Sequence, residues 1–336
     1  MRRSFFSLFM LFATAASWSC AAPLSAHKTD QRTRGDTSLR PVIWRDPGRV
    51  ASLNLLYGAG GLRHAPDPKG TFAFLKEDTL ATSPKFDVVD RQGVEWKVKL
   101  GEEPQSETAA ARFLWAAGYF VDEDYYLPQF TLTGAPKLHR GEEFVSPEGT
   151  IHGARFERKL NDTEKRGSWD WFENPFANTR ELNGLRIMMA LLNNWDLKDV
   201  NNSIYETAGQ RRYVVTDLGA SFGNTGNTLT RSKSAPQEYA DSKFVEKTTS
   251  ASVDFVLHSR PFFLTAINVP NYQMRTRIEA ITKLIPRADA KWLGRRLSLL
   301  SDAQIGDGFR AGGYTSDEVA IYTRAVRQRI AQLHAL

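Results

Sequence analysis

The sequence predicts an α+β fold in two parts, an antiparallel β-rich half with one main helix followed by a mostly helical half. In the first half, short runs alternate apolar and polar residues, as strands with one buried face do. One Ala- and Leu-rich segment interrupts those runs. In the second half, apolar residues recur at helical spacing over several long segments. The 336-residue chain is 41% hydrophobic and 24% charged, as soluble globular proteins are.

The predicted sheet begins with strand-like runs at 71–75 and 86–90. After a turn at 91–93, residues 94–100 alternate in polarity and form the third predicted strand. Its apolar residues are predicted to point to one face: Val94, Trp96, Val98 and Leu100. Its charged residues are predicted to point to the other face: Glu95, Lys97 and Lys99.

The main helix of the first half is predicted at 105–117. Pro104 suits the first turn of such a helix, and Gly118 suits its end. Further strands are predicted after this helix, at 125–133 and 150–159. The first half is therefore predicted to be a sheet with one inserted helix.

The second half begins with a predicted helix at 179–193, which carries a broad apolar face. Two short strands are predicted at 203–205 and 213–216, with a turn at 207–210 between them. Three more helices are predicted, around 272–284, 288–299 and 315–334.

The first 26 residues are typical of a bacterial export signal. Two arginines precede an apolar run at 5–16, and small residues follow it. Cys20 is the only cysteine, and its position resembles that of the lipidated cysteine of bacterial lipoproteins. Cleavage after Ala21 or Ala26 is an alternative. We therefore expect an exported protein that is periplasmic, secreted or anchored to the outer membrane through a lipidated Cys20.

The chain divides into four predicted segments. They are a signal peptide at 1–26, an N-terminal extension at 27–69, a first lobe at 70–163 and a second lobe at 164–336. The polar and basic stretch at 27–48, within the extension, is interpreted as a flexible spacer.

A glycine cluster at 57–61 raises the question of a phosphate-binding loop. No Lys-Ser or Lys-Thr pair follows it, and no clear strand-loop-helix context surrounds it. The cluster therefore favours a turn.

The overall charge favours anionic partners without selecting one. The formal net charge is +6, which suits nucleotides or phospholipid surfaces. No block of Lys and Arg resembles a nucleic-acid-binding arm, so nucleic acid is not an expected partner. The chain also lacks H-E-x-x-H, C-x-x-C and G-x-S-x-G, so zinc-site and serine-hydrolase functions have no motif support.

The densest group of chemistry-bearing residues lies at 193–219. Asp196-Leu197-Lys198 is followed by Asn201, and Asp217-Leu218-Gly219 ends a strand-like run. Here the chain resembles the protein-kinase superfamily. The first group matches the catalytic-loop pattern D-L-K-x-x-N, and the second matches D-F-G with Leu in place of Phe.

The match departs from ordinary protein kinases before the catalytic aspartate. Asn194-Trp195 stands where the family has His-Arg. In this respect the chain resembles the atypical branch, which includes phosphatidylinositol kinases, bacterial persistence-toxin kinases and secretory-pathway kinases. The resemblance implies a two-lobed protein-kinase-like fold, with a β-rich N-lobe at 70–163 and a helical C-lobe at 164–336.

The resemblance also implies an activity, the Mg-ATP-dependent transfer of a phosphoryl group. Asp196 would be the catalytic base toward the acceptor hydroxyl, and Lys198 would contact the transferring phosphate. Asn201 and Asp217 would supply oxygen ligands to Mg²⁺. ATP and Mg²⁺ are thus the expected cofactors.

In kinases a strand lysine holds the nucleotide phosphates and pairs with a helix glutamate. The resemblance gives these roles to Lys99 and Glu107. Lys97 lies on the same predicted face as Lys99 and is an alternative. Glu102 and Glu103 are alternatives to Glu107 as the partner of the lysine.

A glycine-rich loop is missing between the first two predicted strands, where 80–85 stands instead. Thr82, Ser83 and nearby backbone amides would cradle phosphates there, within reach of Lys85. A plain hairpin loop is the alternative.

The acceptor is unknown, and protein, lipid and small-molecule hydroxyls all remain open. Two other functions are alternatives on the same fold: an exported pseudokinase that serves as a nucleotide- or protein-binding scaffold, and a nucleotidyl transferase. The presence of Asp196, Asn201 and Asp217 together favours an active enzyme, because an idle scaffold has no chemical need of all three.

Overall fold

The structure, a computed structural model, describes residues 39–79, 83–207, 209–226, 231–257 and 269–336. The predicted signal peptide and Cys20 lie outside the described residues. Within those residues, no helix combines the length and the apolar character that a membrane span needs.

The described elements are numbered here in chain order. The strands are β1 (Arg40–Val42), β2 (Thr71–Asp78), β3 (Lys85–Val89), β4 (Glu95–Lys99), β5 (Asp124–Thr133), β6 (Thr150–Arg158), β7 (Glu164–Gly167), β8 (Asn202–Thr207), β9 (Gln210–Val215), β10 (Val245–Thr248), β11 (Ser252–Phe255) and β12 (Ile285–Pro286). The α-helices are α1 (Pro104–Ala116), α2 (Arg180–Leu191), α3 (Pro236–Asp241), α4 (Val269–Ala280), α5 (Arg287–Leu297), α6 (Asp302–Ala311) and α7 (Ser316–Ala335). Short 3₁₀ turns occur at Val50–Ser52, Leu62–His64, Glu142–Phe144 and Asp199–Asn201.

The first lobe is a closed barrel with the strand order β2-β3-β4-β6-β5. Its neighbouring strands are antiparallel, except that β2 runs parallel to β5 where the barrel closes. Because side chains alternate between the two faces of a strand, one set fills the barrel and the other lies outside it. Buried apolar residues fill the interior, among them Phe72, Phe86, Val88, Trp96, Val98 and Phe156.

Helix α1 joins the two lobes, because its two sides contact different partners. On one side, Glu107 lies against Lys99 of β4. On the other side, Phe113 packs on Phe309 of α6 with ring centroids 5.1 Å apart. Phe309 in turn stacks on Tyr322 of α7. Packing of the second lobe therefore fixes where α1 stands against the barrel.

The second lobe combines helices with a small sheet of strand order β1-β9-β8-β7. Strands β8 and β9 form an antiparallel hairpin, and the chain leaves β9 toward Asp217. The predicted strands at 203–205 and 213–216 are thus confirmed; β8 is longer at both ends, whereas β9 begins earlier, at Gln210, and ends at Val215. The α+β, two-lobed arrangement predicted from the sequence is confirmed.

The interpretation of 27–48 as a flexible spacer is wrong for its last residues. Strand β1 pairs in parallel with β9, and Ile43 is buried. The indole of Trp44 donates to the carbonyl of Ala117 at 2.8 Å and packs edge-on against Trp292 at 5.5 Å. A few apolar residues inside a polar stretch are enough to attach it to the core.

The glycine cluster at 57–61 forms turns, as predicted. Gly58 has a φ of +66°, and a Cβ there would lie 2.4 Å from the Arg112 guanidinium. The hydroxyl of Tyr125 donates to the carbonyl of Gly61 at 2.9 Å. Gly58 is therefore needed for close packing on α1, and Tyr125 of β5 fixes the end of the turn.

Helix α6 was not predicted. It begins at a capping box in which Ser301 and Gln304 satisfy each other's backbone groups. Gly306 and Gly308 weaken its helical pattern in the sequence. Gly308 faces the ring of Phe113, where a Cβ would lie 3.0 Å from the nearest ring carbon.

Candidate functional site

A cavity of about 700 Å³ gathers the residues that the sequence analysis singled out. Its lining comes from both lobes and is mostly charged. The predicted site residues that line it are Ser83, Glu107, Asp196, Lys198, Asn201 and Asp217. Lys99 lies directly behind this lining and contacts carboxylates that belong to it.

Lys99 stands at the end of β4 under three carboxylates. Its Nζ lies 2.7 Å from Oε2 of Glu107, 2.6 Å from Oε2 of Glu103 and 3.5 Å from Oδ1 of Asp217. The side chain is 1% exposed. Burial lowers the pKa of Lys99, but the charges of Glu107 and Asp217 raise that pKa by more. Lys99 is therefore a permanent cation in the floor of the cavity.

The alternative lysine, Lys97, also lines the cavity but lies one pleat away. Its neighbours across the sheet are Asp87 and Glu157. Helix α1 begins only a few residues after Lys99, so its first turns lie over the end of β4 and not over Lys97. In the described structure, Lys99 is the lysine that contacts Glu107.

Glu102 and Glu103, the alternatives to Glu107 as the partner of the lysine, differ in exposure and in the residue they contact. Glu103, directly before α1, contacts Lys99 together with Glu107 and does not replace it. Burial raises the pKa of Glu103, but the charges and hydrogen bonds of Lys99 and Lys233 together lower it by more, to about 2. Glu102 is 83% exposed, and its ion pair is with Lys233 at 3.5 Å.

Ser83 lies at the cavity, as predicted, and its hydroxyl donates to Oε2 of Glu103 at 3.1 Å. Lys233 donates to the other oxygen of Glu103 at 3.0 Å. Both contacts hold the Glu103 carboxylate at the cavity wall. Thr82, the other predicted hydroxyl, lies outside the described residues.

The catalytic-loop segment is held by two buried asparagines that the sequence analysis did not select. Asn193, two residues after the end of α2, adopts the left-handed region at a φ of 54° and donates to the carbonyl of Gly223 at 2.6 Å. Asn194 accepts from the backbone N–H of Asp196 at 3.2 Å and donates to the carbonyl of Asp217 at 3.2 Å. Consecutive asparagines after an apolar helix were the signal that would have found them.

Asp196, Lys198 and Asn201 form one cluster at the cavity. Nζ of Lys198 lies 2.7 Å from Oδ1 of Asp196. The amide of Asn201 donates to the carbonyl of Asp196 at 2.7 Å and to its Oδ2 at 3.2 Å. Both carboxylate oxygens of Asp196 are thus oriented, while the side chain stays 27% exposed.

Asp217 is positioned by the same loop. Its backbone N–H donates to the carbonyl of Asn201 at 3.3 Å, and the N–H of Gly219 donates to its Oδ1 at 3.3 Å. Its side chain is 36% exposed. The structure therefore brings Asp217 and Lys99, which are distant in the sequence, to one wall of the cavity.

The donor set fits a hard divalent cation. Among the described residues, Oδ1 of Asn201 and Oδ2 of Asp217 accept no hydrogen bond, and both residues face the cavity. The carboxylates of Glu103, Glu107 and Asp217 also come within 4.8 Å of one another, but the ammonium of Lys99 already pairs with all three. Carboxylate and amide oxygens are the ligands that Mg²⁺ prefers in proteins.

A basic segment at 231–233 covers the catalytic loop, and the sequence analysis missed it. The guanidinium of Arg231 stacks 3.9 Å from the ring centre of Trp195. The indole of Trp195 donates to the carbonyl of Ser232 at 3.0 Å. Arg231 and Lys233 also line a neighbouring cavity of about 620 Å³. These contacts link segments far apart in the chain and leave no local sequence signal.

No protein-family model matches the chain, and no curated protein matches it significantly. Solved structures do match. CtkA, a proinflammatory kinase from Helicobacter pylori, is 11% identical with a TM-score of 0.44, over 80% of this chain and 98% of that chain.

The Golgi casein kinase is also similar to this chain, in two structures. The structure with Mn and ADP bound is 8% identical with a TM-score of 0.41, over 81% of this chain and 74% of that chain. The other is 10% identical with a TM-score of 0.33, over 81% of this chain and 77% of that chain. These similarities concern the fold, and the roles of individual residues follow from the contacts in the cavity.

Proposed function

We propose that this protein is an atypical kinase-like phosphotransferase that uses Mg-ATP. One observation carries the proposal. A single cavity unites the buried Lys99–Glu107 ion pair with Asp217 and with the oriented cluster of Asp196, Lys198 and Asn201. These are the groups that phosphoryl transfer needs: a fixed cation for phosphates, oxygen ligands for a metal and a base near the acceptor.

Lys99 is suited to bind the nucleotide phosphates. Glu107, which is 2% exposed, holds its ammonium at 2.7 Å. Glu103, on the cavity side, is 18% exposed, so an incoming phosphate competes with Glu103 and not with Glu107. The buried pair keeps the lysine in place during that exchange.

Asn201 and Asp217 would hold Mg²⁺ through their unpaired oxygens. The bound ion would neutralise charge on the phosphate oxygens. Gly219 and Asn201 fix Asp217 through its Oδ1 and its backbone N–H, which leaves Oδ2 directed to other partners.

Asp196 would act as the base toward the acceptor, and the contacts with Lys198 and Asn201 that orient its carboxylate support this role. The acceptor oxygen attacks the γ-phosphorus, its proton passes to Asp196, and the bond from that phosphorus to the β–γ bridging oxygen breaks to release ADP. Lys198, 2.7 Å from Asp196, is close enough to offset charge on the phosphoryl group in transfer. The acceptor is a protein, lipid or small-molecule hydroxyl.

The binding test compares the wild-type protein with Lys99→Met, Asp217→Asn and the matched control Lys97→Met, by calorimetry with ATP and Mg²⁺. Loss of a charged partner to the phosphates should weaken binding about 10- to 100-fold in Lys99→Met. Lys97→Met, one pleat away on the same strand, should change affinity by less than about threefold.

The metal dependence supplies the second comparison. Asp217→Asn should weaken binding in Mg²⁺ and match the wild type in EDTA. Wild-type protein that binds no ATP in Mg²⁺ would contradict the proposed function. Equal losses in the two lysine variants would contradict the assignment of Lys99.

A further inference from the structure

A second buried cation, which belongs to the cavity lining, faces Lys99 from the neighbouring strand. Arg155 of β6 pairs directly opposite Lys99 of β4 in the antiparallel register. Both side chains are almost fully buried, at 3% and 1% exposure. Like charges directly opposite each other destabilise a sheet, so this pair requires a shared counter-ion.

Glu107 is that counter-ion, and it divides its two oxygens between the cations. Its Oε2 lies 2.7 Å from Nζ of Lys99, and its Oε1 lies 3.3 Å from a terminal nitrogen of Arg155. A carboxylate held at both oxygens has one orientation. Removal of Arg155 would leave Oε1 buried without this partner and free the carboxylate to rotate.

Arg155 is itself held in place by two further carboxylates. The terminal nitrogen that contacts Glu107 also lies 2.9 Å from Oδ1 of Asp124, and the other lies 2.9 Å from Oε2 of Glu157. Burial lowers the pKa of Arg155, but the charges of Asp124 and Glu107 raise that pKa by more. The guanidinium therefore stays charged, and its planar fork fits this arrangement of acceptors.

We propose that Arg155 is a positioning residue that acts on the phosphate-binding Lys99 through Glu107. The inference rests on the proposed function, because the role matters when a phosphate displaces Glu103 from Lys99. At that moment Glu107 becomes the main carboxylate on the lysine, and Arg155 keeps its Oε2 in contact. No feature of the kinase motifs in the sequence points to this residue.

The test uses Arg155→Gln in the full chain and measures the affinity for ATP with Mg²⁺ by calorimetry. We expect binding about tenfold weaker, within the range of couplings between contacting residues. The control is Arg158→Gln on the same strand. Its guanidinium lies 3.8 Å from Glu123, so its affinity should stay within about twofold of wild type.

A double-mutant cycle separates positioning from structural damage. In a Glu107→Gln background, Arg155 has no carboxylate to orient, so Arg155→Gln should cause no further loss of affinity. Arg155→Lys should recover part of the wild-type affinity, because it keeps the charge but not the fork.

If Arg155→Gln does not fold, Asp124→Asn replaces it in the same affinity measurement. It keeps the shape of the side chain and weakens the hold on Arg155, so it should lower affinity in the same direction and to a smaller extent. That loss should also vanish in the Glu107→Gln background.

Two outcomes contradict the role of Arg155 but not the proposed function. One is wild-type affinity for ATP in Arg155→Gln, and the other is an equal loss of affinity in the presence and in the absence of the Glu107 carboxylate. Wild-type protein that fails to bind Mg-ATP contradicts the proposed function and this role with it. The two failures are distinguished by the wild-type titration.

Discussion

At the scale of single residues, the site is a balance of charges around one ammonium. Lys99 lies among Glu103, Glu107 and Asp217, and the three carboxylates differ in exposure. Glu107 is only 2% exposed, whereas Glu103 and Asp217 are 18% and 36% exposed. This gradient suits a site in which one carboxylate stays fixed and the others exchange with phosphate or bind a metal.

Glu103→Gln tests this balance through the pH dependence of stability. The pKa of Glu103 is lowered from 4.5 to about 2, so its charge stabilises the fold above pH 4.5. That contribution is lost as pH falls from 4.5 toward 2. We expect the variant to melt about 2–4 °C lower at pH 7 and to show a smaller further loss than wild type between pH 4.5 and 2.

The matched control is Glu102→Gln, which removes the adjacent exposed carboxylate. Its melting temperature should stay within about 1 °C of wild type at pH 7 and across the range from pH 4.5 to 2. Thermal denaturation followed by circular dichroism measures all three proteins. Identical pH profiles for Glu103→Gln and wild type would show that Glu103 does not pair with Lys99 in solution.

At the scale of elements, the site depends on where helices end. Helix α2 ends directly before the catalytic loop, and its last carbonyls need partners. Arg329 of α7 supplies them, with bonds to the carbonyls of Ala190 at 3.2 Å and Leu191 at 2.9 Å. The same guanidinium donates to Oδ1 of Asn193 at 2.7 Å. A helix from the end of the chain thus fixes the start of the catalytic loop.

Arg329→Met tests that link. The variant removes a buried donor from the last carbonyls of α2 and from Oδ1 of Asn193, so we expect a loss of about 3 kcal/mol in the free energy of unfolding. Urea denaturation measures it. Arg324→Met on the same helix, where the side chain is exposed, should cost less than about 0.5 kcal/mol. Equal stability of the two variants would contradict a structural role for Arg329.

The elements also show what the sequence could predict. Strands at 94–100 and 125–133 and helices at 105–117 and 179–193 have strong local periodicity, and the structure has an element at each. Strand β1 was missed because its few apolar residues lie in a polar stretch. Its pairing with β9 is a long-range contact that no local pattern reveals.

Three of the predicted site residues could be selected from the sequence for a similar reason. Asp196, Asn201 and Asp217 belong to short patterns with fixed spacing, and they meet at one cavity. The choice between Lys97 and Lys99 depended on where α1 crosses the sheet, which spacing alone did not decide. Arg155 lies opposite Lys99 through strand pairing, and this pairing could not be derived from the sequence.

At the scale of the whole molecule, the cavity lies where two differently built lobes meet. The barrel contributes Lys99, and the helical lobe contributes Asp196 and Asp217. Helix α1 contacts both lobes. Its Glu107 pairs with Lys99 of the barrel, and its Ser106 donates to the carbonyl of Gly219 of the helical lobe at 2.7 Å in a buried contact. One helix therefore contacts both Lys99 and the segment of Asp217, the groups to which the proposal assigns phosphate and metal binding.

The export signal is a proposal about the whole chain. We propose that the mature protein begins at or after Cys20 and is periplasmic, secreted or anchored to the outer membrane. Mass spectrometry of the protein from its own cells should find no peptide from the first residues, and an acyl-chain mass on Cys20 if the cysteine is lipidated. Cys20→Ser should abolish that mass. Intact Met1 in the cellular protein would contradict export.

The most direct test of the central claim is ADP formation from Mg-ATP by wild type and Asp196→Asn. Hydroxyl-bearing peptides, lipid headgroups and water serve as acceptors. The variant keeps Lys99 and Asp217, so it should bind Mg-ATP with wild-type affinity and form ADP at least about 100-fold more slowly. Equal rates in the two proteins would contradict Asp196 as the base. Wild type that binds Mg-ATP and forms no ADP with any acceptor would contradict phosphoryl transfer and favour a nucleotide-binding scaffold.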